Sequence, residues 1–284
     1  MISHKTTEAQ VKIGVFADAQ YCDCEMTINR YYRNSPEKLA ECISTFNKID
    51  EIDFIVGLGD LIDKDFESFE KINAVLDSSE KEVFQVTGNH DLLVEKEYID
   101  KVPEQLGLDS TYYTFSKEGW RFIFLDGNEL TFQSNDPEIL SQAKQMLEHL
   151  RAENKPNAHD WNGGMSTKQI QWLEKQLSNA DKKGQKVILF CHYPLLPIEA
   201  HTLWNAEEIL PILFNHKCLK ACINGHNHAG NYALKNGIHF ITMRGMVDTE
   251  TENAWSVITL SNDQIKIEGF GREVSRNLEV YDHH

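Results

Sequence analysis

Glu82-Val83-Phe84-Gln85-Val86-Thr87-Gly88-Asn89-His90-Asp91 decides how this chain is read. Six residues of strand-forming character run directly into a glycine, an amide, an imidazole and a carboxylate. Taken alone, the last four residues could be a plain turn, since Gly, Asn and Asp are turn formers. Their place after a strand makes them informative, because the pattern recurs along the chain. Residues 11–17 are largely apolar and end in Asp18-Ala19-Gln20. Residues 53–58 end in Gly59-Asp60. Residues 186–190 deliver Cys191-His192, and residues 219–223 deliver Asn224-Gly225-His226-Asn227-His228.

Helical patterns lie between these strands. Ser35 as N-cap and Pro36 at the first helical position open a helix whose apolar stripe is Leu39, Ile43, Phe46 and Ile49. Residues 66–76 read as a second helix. Alternation of strand and helix predicts a largely parallel inner sheet. Residues 111–115 and 121–125 form a hairpin joined at Glu118-Gly119. Helical patterns over 137–151 and 166–177 enclose a surface loop, 154–164, rich in Asn, Pro and Gly. After residue 230 the pattern becomes short strands at 232–234, 239–242, 254–260 and 264–270, which predicts a second sheet packed on the first. With no internal repeat and no linker, one domain over residues 1–284 is expected. Its motif-bearing core is 11–230 and its C-terminal meander 231–271.

The polar residues at these strand ends do not fall at random. In open α/β sheets ligands bind outside the carboxyl ends of strands, so Asp18, Asp60, Asn89, His192 and the pair His226/His228 converge on one place. Gly59, Gly88 and Gly225 permit the tight turns and close backbone approach of a crowded site. In a strand-end His-x-His the two rings diverge, so each can serve a different ion. Oxygen and imidazole donors without thiolate suit manganese, iron or zinc better than a structural zinc or a calcium cage. Two ions about 3.5–4 Å apart hold a phosphate, activate a water and neutralise the leaving oxygen. Asp60 is the natural bridging carboxylate. Any single His or Asp at a strand end is more often a hydrogen-bonded structural residue; the joint set is what points to chemistry.

These blocks, Asp18-Ala-Gln20, Gly59-Asp60, Gly88-Asn89-His90-Asp91, His192 and Gly225-His226-Asn227-His228, resemble in order those of the calcineurin-like metallophosphoesterases. The resemblance implies an α/β fold, a four-layer α/β/β/α sandwich of two mixed sheets flanked by helices. It also implies that Asp18, Gln20, Asp60 and His228 hold one metal, and Asp60, Asn89, His192 and His226 the other. His90 would face the phosphate as proton donor or charge stabiliser, with Asp91 orienting its ring. Position 20 departs from the common pattern, which has His there. Gln at this position resembles the manganese-dependent ADP-ribose/CDP-alcohol diphosphatase branch, as do Arg30-Tyr31-Tyr32-Arg33-Asn34-Ser35 and Asn162-Gly163-Gly164 followed by Gln169-Ile-Gln-Trp172-Leu173. That similarity implies hydrolysis of a pyrophosphate bond in a nucleotide-diphosphate small molecule. Two divalent ions are the implied cofactors, Mn²⁺ first, with Fe, Zn or Mg as alternatives.

Other residues read two ways. Arg30 and Arg33 with Tyr31 and Tyr32 are either a solvated helix entry or a substrate clamp, with guanidiniums forked onto phosphate oxygens and a tyrosine on a base or ribose. Asp126-Gly127-Asn128 reads as a turn, Trp161 and Trp172 as packing, and His283 and His284 as without a role. At 284 residues, 41% hydrophobic and 25% charged, the chain is that of an ordinary globular protein. A net charge of −16 argues against nucleic acid as partner. No secretory signal or membrane-spanning run is visible, and most of the six cysteines are read as reduced, so a cytoplasmic location is expected. The same metal site could serve a cyclic-nucleotide phosphodiesterase or a phosphomonoesterase, and a non-catalytic scaffold is the rival of another class.

Overall fold

The computed structural model describes residues 10–281; the polar stretch 1–9 and His283 and His284 lie outside the described residues. Two units of three strands with intervening helices form the frame. The first comprises β1 (Val11–Phe16), α1 (Ser35–Asn47), β2 (Phe54–Gly57), α2 (Ser68–Leu76) and β3 (Val83–Gln85). After a short α3 (Val102–Gln105) and β4 (Tyr113–Lys117) comes the second unit. It comprises β5 (Trp120–Leu125), α4 (Pro137–Ala152), α5 (Thr167–Lys183), β6 (Lys186–Cys191), α6 (Ala206–Phe214) and β7 (Leu219–Asn224). The tail adds β8 (Asn231–Lys235), β9 (Ile238–Thr242), β10 (Ala254–Leu260), β11 (Gln264–Gly271) and β12 (Arg276–Glu279).

These strands make two mixed six-stranded sheets, ordered β12-β11-β10-β1-β2-β3 and β4-β5-β6-β7-β9-β8. The expectation of one parallel sheet with the tail as a second sheet is therefore corrected. The parallel units fall one in each sheet, and the tail is divided: β8 and β9 extend the second sheet, while β10 pairs antiparallel with β1. Side-chain alternation explains the stacking. Phe54 and Val56 of β2 face Phe122, Phe124, Ile188 and Phe190 of the other sheet, whereas Ile55 faces outward to Leu39, Ile43 and Phe46 of α1. On the far side, Ile123, Leu125 and Leu189 meet Leu173 and Leu177 of α5 and Ile209 and Leu213 of α6. The result is helix, sheet, sheet, helix, with each buried Leu, Ile or Phe contributing about 1.5–3 kcal/mol.

Local chemistry fixes the ends. Glu118 and Gly119 both take positive φ (48° and 78°), the conformation of a two-residue turn between β4 and β5. Asp136 caps α4 by accepting from the Glu138 N–H, and Ser166 caps α5 by accepting from Gln169. Ser35 does not cap α1. A single 3-10 turn, Tyr32–Asn34, leads straight into the helix, so Ser35 is its first residue. Three elements carry no clear sequence signal. In α6 the internal Pro211 removes an N–H and masks the period, and α3 and β12 are only four residues long.

Candidate functional site

Because β1, β2 and β3 run parallel, and β6 and β7 run parallel in the facing sheet, the loops leaving them meet over one edge of the sandwich. Backbone hydrogen bonds stitch these loops together. The N–H of Asp18 donates to Gly59 O (3.2 Å), that of Gln20 to Asp60 O (2.8 Å) and that of Gly225 to His192 O (3.0 Å). Four non-glycine residues here hold left-handed backbone: Asp18 (φ 52°), Gln20 (44°), Asp60 (53°) and His226 (66°). Each costs about 1 kcal/mol or more, and such clustering marks a place where side-chain direction overrides backbone preference. Packing leaves no spare room. A Cβ on Gly88 would run into the Asp60 carboxylate, and one on Gly245 would lie 2.6 Å from the His228 ring.

The polar atoms that converge are almost all acceptors. The Nδ1–H of His192 donates to Leu58 O at 2.7 Å, which leaves its Nε2 bare. The amide nitrogen of Asn162 donates to Asn157 O and Ala200 O, so its oxygen receives Nε2–H of His226 at 2.9 Å and leaves Nδ1 of that ring bare. The two bare nitrogens lie 3.1 Å apart, with Asn89 Oδ1 at 3.1 Å and Asp60 Oδ2 at 3.3 Å from His192 Nε2. Alongside, His228 donates Nδ1–H to Asp248 (2.9 Å) and turns its Nε2 to Asp18 Oδ1 at 3.5 Å. Asp60 can only accept, so Gln20 must present its amide nitrogen there (3.0 Å). Its buried Oε1 is left without a partner.

Lone pairs packed against lone pairs in a buried pocket are stable only around positive charge. Proton affinities say the same. Burial opposes charge on His192 and His228, yet Asp60 beside the first and Asp18 beside the second lift both to about 9. Burial and the neighbouring His192 push His226 well down, so its bare nitrogen stays available. The donor set therefore fits divalent cations: hard carboxylate and amide oxygens with neutral imidazoles, each ring oriented by a carboxylate or carbonyl partner.

A cavity of about 390 Å³ opens over this cluster, lined by Gln20, Arg30, Asp60, Asn89, His90, Trp161, His201, His226 and His228. The His90 N–H donates to Asp60 Oδ1 (2.8 Å), its Nδ1 lies 2.8 Å from Asp63 Oδ1, and Arg30 approaches its Nε2 at 3.4 Å.

The structure brings together Asp18, Gln20, Asp60, Asn89, His90, His192, His226 and His228, with Arg30 beside them. It corrects several expectations. Asp91 does not touch the His90 ring; its carboxylate accepts four backbone N–H groups, from Asp60, Leu61, Ile62 and Gly88, and pins two loops to each other. Asp63 takes the orienting role instead. Arg33 points away from the cavity, paired with Asp23 (2.6 Å) and Glu25 (2.7 Å), and Tyr31 does not line it. Trp161, read as packing, forms a cavity wall with its ring against His159, His201 and His226. Trp172 does pack, edge-on to Tyr112. The loop 154–164 is not wholly at the surface, since Asn157 and Asn162 are buried. Asp126-Gly127-Asn128 is more than a turn: Asn128 accepts the Tyr193 hydroxyl (2.6 Å), and that ring packs on both His192 and His226. Four cysteines are buried and free, as expected of most, while Cys22 and Cys24 form a disulfide.

The Calcineurin-like phosphoesterase family profile matches residues 11–230. The manganese-dependent ADP-ribose/CDP-alcohol diphosphatase of Oryza sativa subsp. japonica is 30% identical over 280 residues, covering 87% of each chain. The Xenopus laevis protein of the same name is 28% identical, covering 99% of this chain and 93% of its own. Among solved structures, a dimetal phosphatase from Danio rerio superposes with a TM-score of 0.85 at 25% identity, covering 95% of this chain and 99% of that one.

Proposed function

The chain belongs to the calcineurin-like phosphoesterase family, and from that membership we propose that it hydrolyses the pyrophosphate bond of ADP-ribose or CDP-alcohol type nucleotide derivatives, with Mn²⁺ as activator. The observation that carries this reading is the buried cluster of bare acceptors around Asp60. The substrate class rests on the names of the relatives from rice and frog. We assign Asp18, Gln20, Asp60 and His228 to one ion, and Asp60, Asn89, His192 and His226 to the other. Two divalent ions held there would supply positive charge to the phosphate oxygens and would lower the pKa of a water.

The chain's own residues do the rest. Arg30 enters the cavity with a guanidinium suited to forked contact with phosphate oxygens. His90 shares that space; Asp63 beside its Nδ1 orients the ring, and once Arg30, which can only donate to Nε2, turns to phosphate oxygens, Nε2 is free to carry a proton to the leaving oxygen. Trp161 and His201 exclude water from one side and offer flat faces to a base or ribose. Asn162 and Asp248 hold the tautomers of His226 and His228. A single domain in the cytoplasm, acting on small molecules and not on nucleic acid, is the setting we infer. Four free buried thiols suit a reducing compartment, and a net charge of −16 argues against a nucleic-acid-binding surface. Among the described residues no helix is long and apolar enough to cross a membrane.

The test is a side-by-side assay of ADP-ribose, CDP-choline, cyclic AMP and p-nitrophenyl phosphate with Mn²⁺, Mg²⁺ and Zn²⁺. The expected result is kcat/KM at least about tenfold higher for the two diphosphates with Mn²⁺, lost in Asp60→Ala. Preference for cyclic AMP or p-nitrophenyl phosphate would overturn the substrate class. No activity on any of the four, with no Mn²⁺-induced rise in Tm, would leave a non-catalytic scaffold.

A further inference from the structure

Cys22 and Cys24 stand two and four residues beyond Gln20, on a loop held against the one that carries Asp63. Tyr21 bridges Ile62, and the Asp63 N–H donates to Tyr21 O at 3.0 Å. A continuous line of contacts runs from the sulfurs to the cavity. Cys22 Sγ lies 3.8 Å from Asp63 Oδ2, Asp63 Oδ1 lies 2.8 Å from His90 Nδ1, and Arg30 approaches the far nitrogen of that ring. The two cysteines differ in access. Cys22 is fully buried beside Tyr32 and Val247, whereas Cys24 is only partly covered. Asp23 and Glu25 flank Cys24, and Arg33 pairs with both, offsetting the negative charge that would repel an anionic thiol reagent.

A disulfide between residues two apart does little for stability. The loop it closes is so short that it removes almost no conformational freedom from the unfolded chain. In a reducing compartment, disulfides that do form are mostly transient, catalytic or sensing. The position of this pair, against the carboxylate that orients His90, gives it a different use.

We propose that Cys22 and Cys24 form a thiol–disulfide exchange site for low-molecular-weight disulfides, and that its oxidation state sets turnover at His90 through Asp63. Cys24, the reachable sulfur, attacks one sulfur of the small disulfide, forming a mixed disulfide and releasing one small thiol. Cys22 then attacks the Cys24 sulfur, closing the internal bond and expelling the second small thiol. Two protein thiols are oxidised, one small disulfide is reduced, and the two protons leave on the released thiols. In the dithiol state the Cys22 S–H donates to Asp63 Oδ2 and steadies that carboxylate against the His90 ring. The disulfide sulfur has no hydrogen to give, so the dithiol form is the faster one.

The activity arm rests on the reading of His90 as proton donor; the chemical arm does not. Mn²⁺-loaded protein is equilibrated over a series of glutathione to glutathione disulfide ratios. The peptide carrying both cysteines is weighed, and kcat and KM are measured. Oxidising ratios should remove two hydrogens from that peptide reversibly and lower kcat about two- to tenfold, the worth of one hydrogen bond, with KM unchanged. Cys24→Ser, at the less buried position, should turn over at the reduced rate at every ratio. Thiols that stay free at every ratio overturn the proposal, as does a disulfide that forms without moving kcat. A protein inactive on every phosphate substrate fails the functional reading instead, and the peptide mass still decides whether the exchange site exists.

Discussion

Asp91→Asn separates a structural carboxylate from a catalytic one. Oδ2 of Asp91 accepts from the N–H groups of Asp60 (3.0 Å) and Gly88 (2.8 Å), and Oδ1 accepts from those of Leu61 (2.7 Å) and Ile62 (3.1 Å). An amide at this place has one acceptor oxygen. Whichever way it turns, its NH₂ faces two buried N–H donors, so two bonds are lost and two donors are stranded. Bonds to a charged acceptor are worth about 1.5–3 kcal/mol each, giving a gross loss of about 3–6 kcal/mol. Part of that returns, because burial and the nearby Asp60 charge raise the Asp91 carboxyl to about 7, and the neutral amide carries no such penalty. A net loss of about 2–4 kcal/mol is expected, on the order of 5–15 °C in Tm for a chain of this length. Urea denaturation in EDTA measures it free of metal linkage. His90→Ala, which removes no loop clamp, should stay within about 1 kcal/mol of the parent in the same assay. An Asp91→Asn protein that keeps full stability in EDTA yet loses kcat as deeply as His90→Ala would refute the clamp and return Asp91 to the His90 ring.

Three further outcomes follow from the site. His90→Ala should lower kcat about 10²–10⁴-fold while Mn²⁺ still raises Tm, because the ring serves proton transfer and not ion binding. Asn162→Ala removes the side-chain oxygen that accepts the His226 Nε2–H and fixes that ring's tautomer, so Mn²⁺ affinity, read by calorimetric titration, should fall about 10–100-fold. Asp126 gives a pH test away from the metal ligands: burial first, opposed by the Asn128 N–H, raises its carboxyl to about 6. Its unfolded value is about 3.9, so the folded state holds the extra proton between these values. The stability this group confers is complete at low pH, is lost as pH rises through about 4 to 6, and stays lost above. Asp126→Asn should match the parent near pH 3.5 in urea melts and exceed it by about 1–3 kcal/mol at pH 8; a constant difference across that range would contradict the assignment.

What could be read in advance was local. A run of β-forming residues ending in Gly-Asp, Gly-Asn-His-Asp or Gly-His-Asn-His is a strand with chemistry at its tip, and every such tip lies where parallel strands deliver it. Which sheet each tail strand joins was not legible. Nearly every residue of β10 and β9 is buried, so the hydrophobic pattern carries no face and hence no partner. The orienting residues were illegible for another reason. Asn162 and Asp248 meet His226 and His228 only through the tertiary fold; the resemblance at Asn162-Gly163-Gly164 marks that segment without saying which ring it serves. Asp63 was nearer to hand, three residues past Asp60, but Asp91 was closer to His90 in sequence, and only the path of the loop decides which carboxylate faces the ring.

Gln20 shows what the folded geometry adds to a residue already seen to be unusual. Imidazole at that position presents one donor and one acceptor at opposite ends of a rigid ring. The amide presents both from one carbon, so it can give an N–H to Asp60 Oδ2 and keep a bare oxygen in the same pocket. That N–H occupies one lone pair of Asp60 and fixes the rotation of the carboxylate that both ion positions would share. The His90 N–H fixes the other oxygen. A weaker ligand than imidazole thereby gains a second task, holding the shared carboxylate in register. The left-handed backbone at both Gln20 and Asp60 is the strain accepted to align the two side chains.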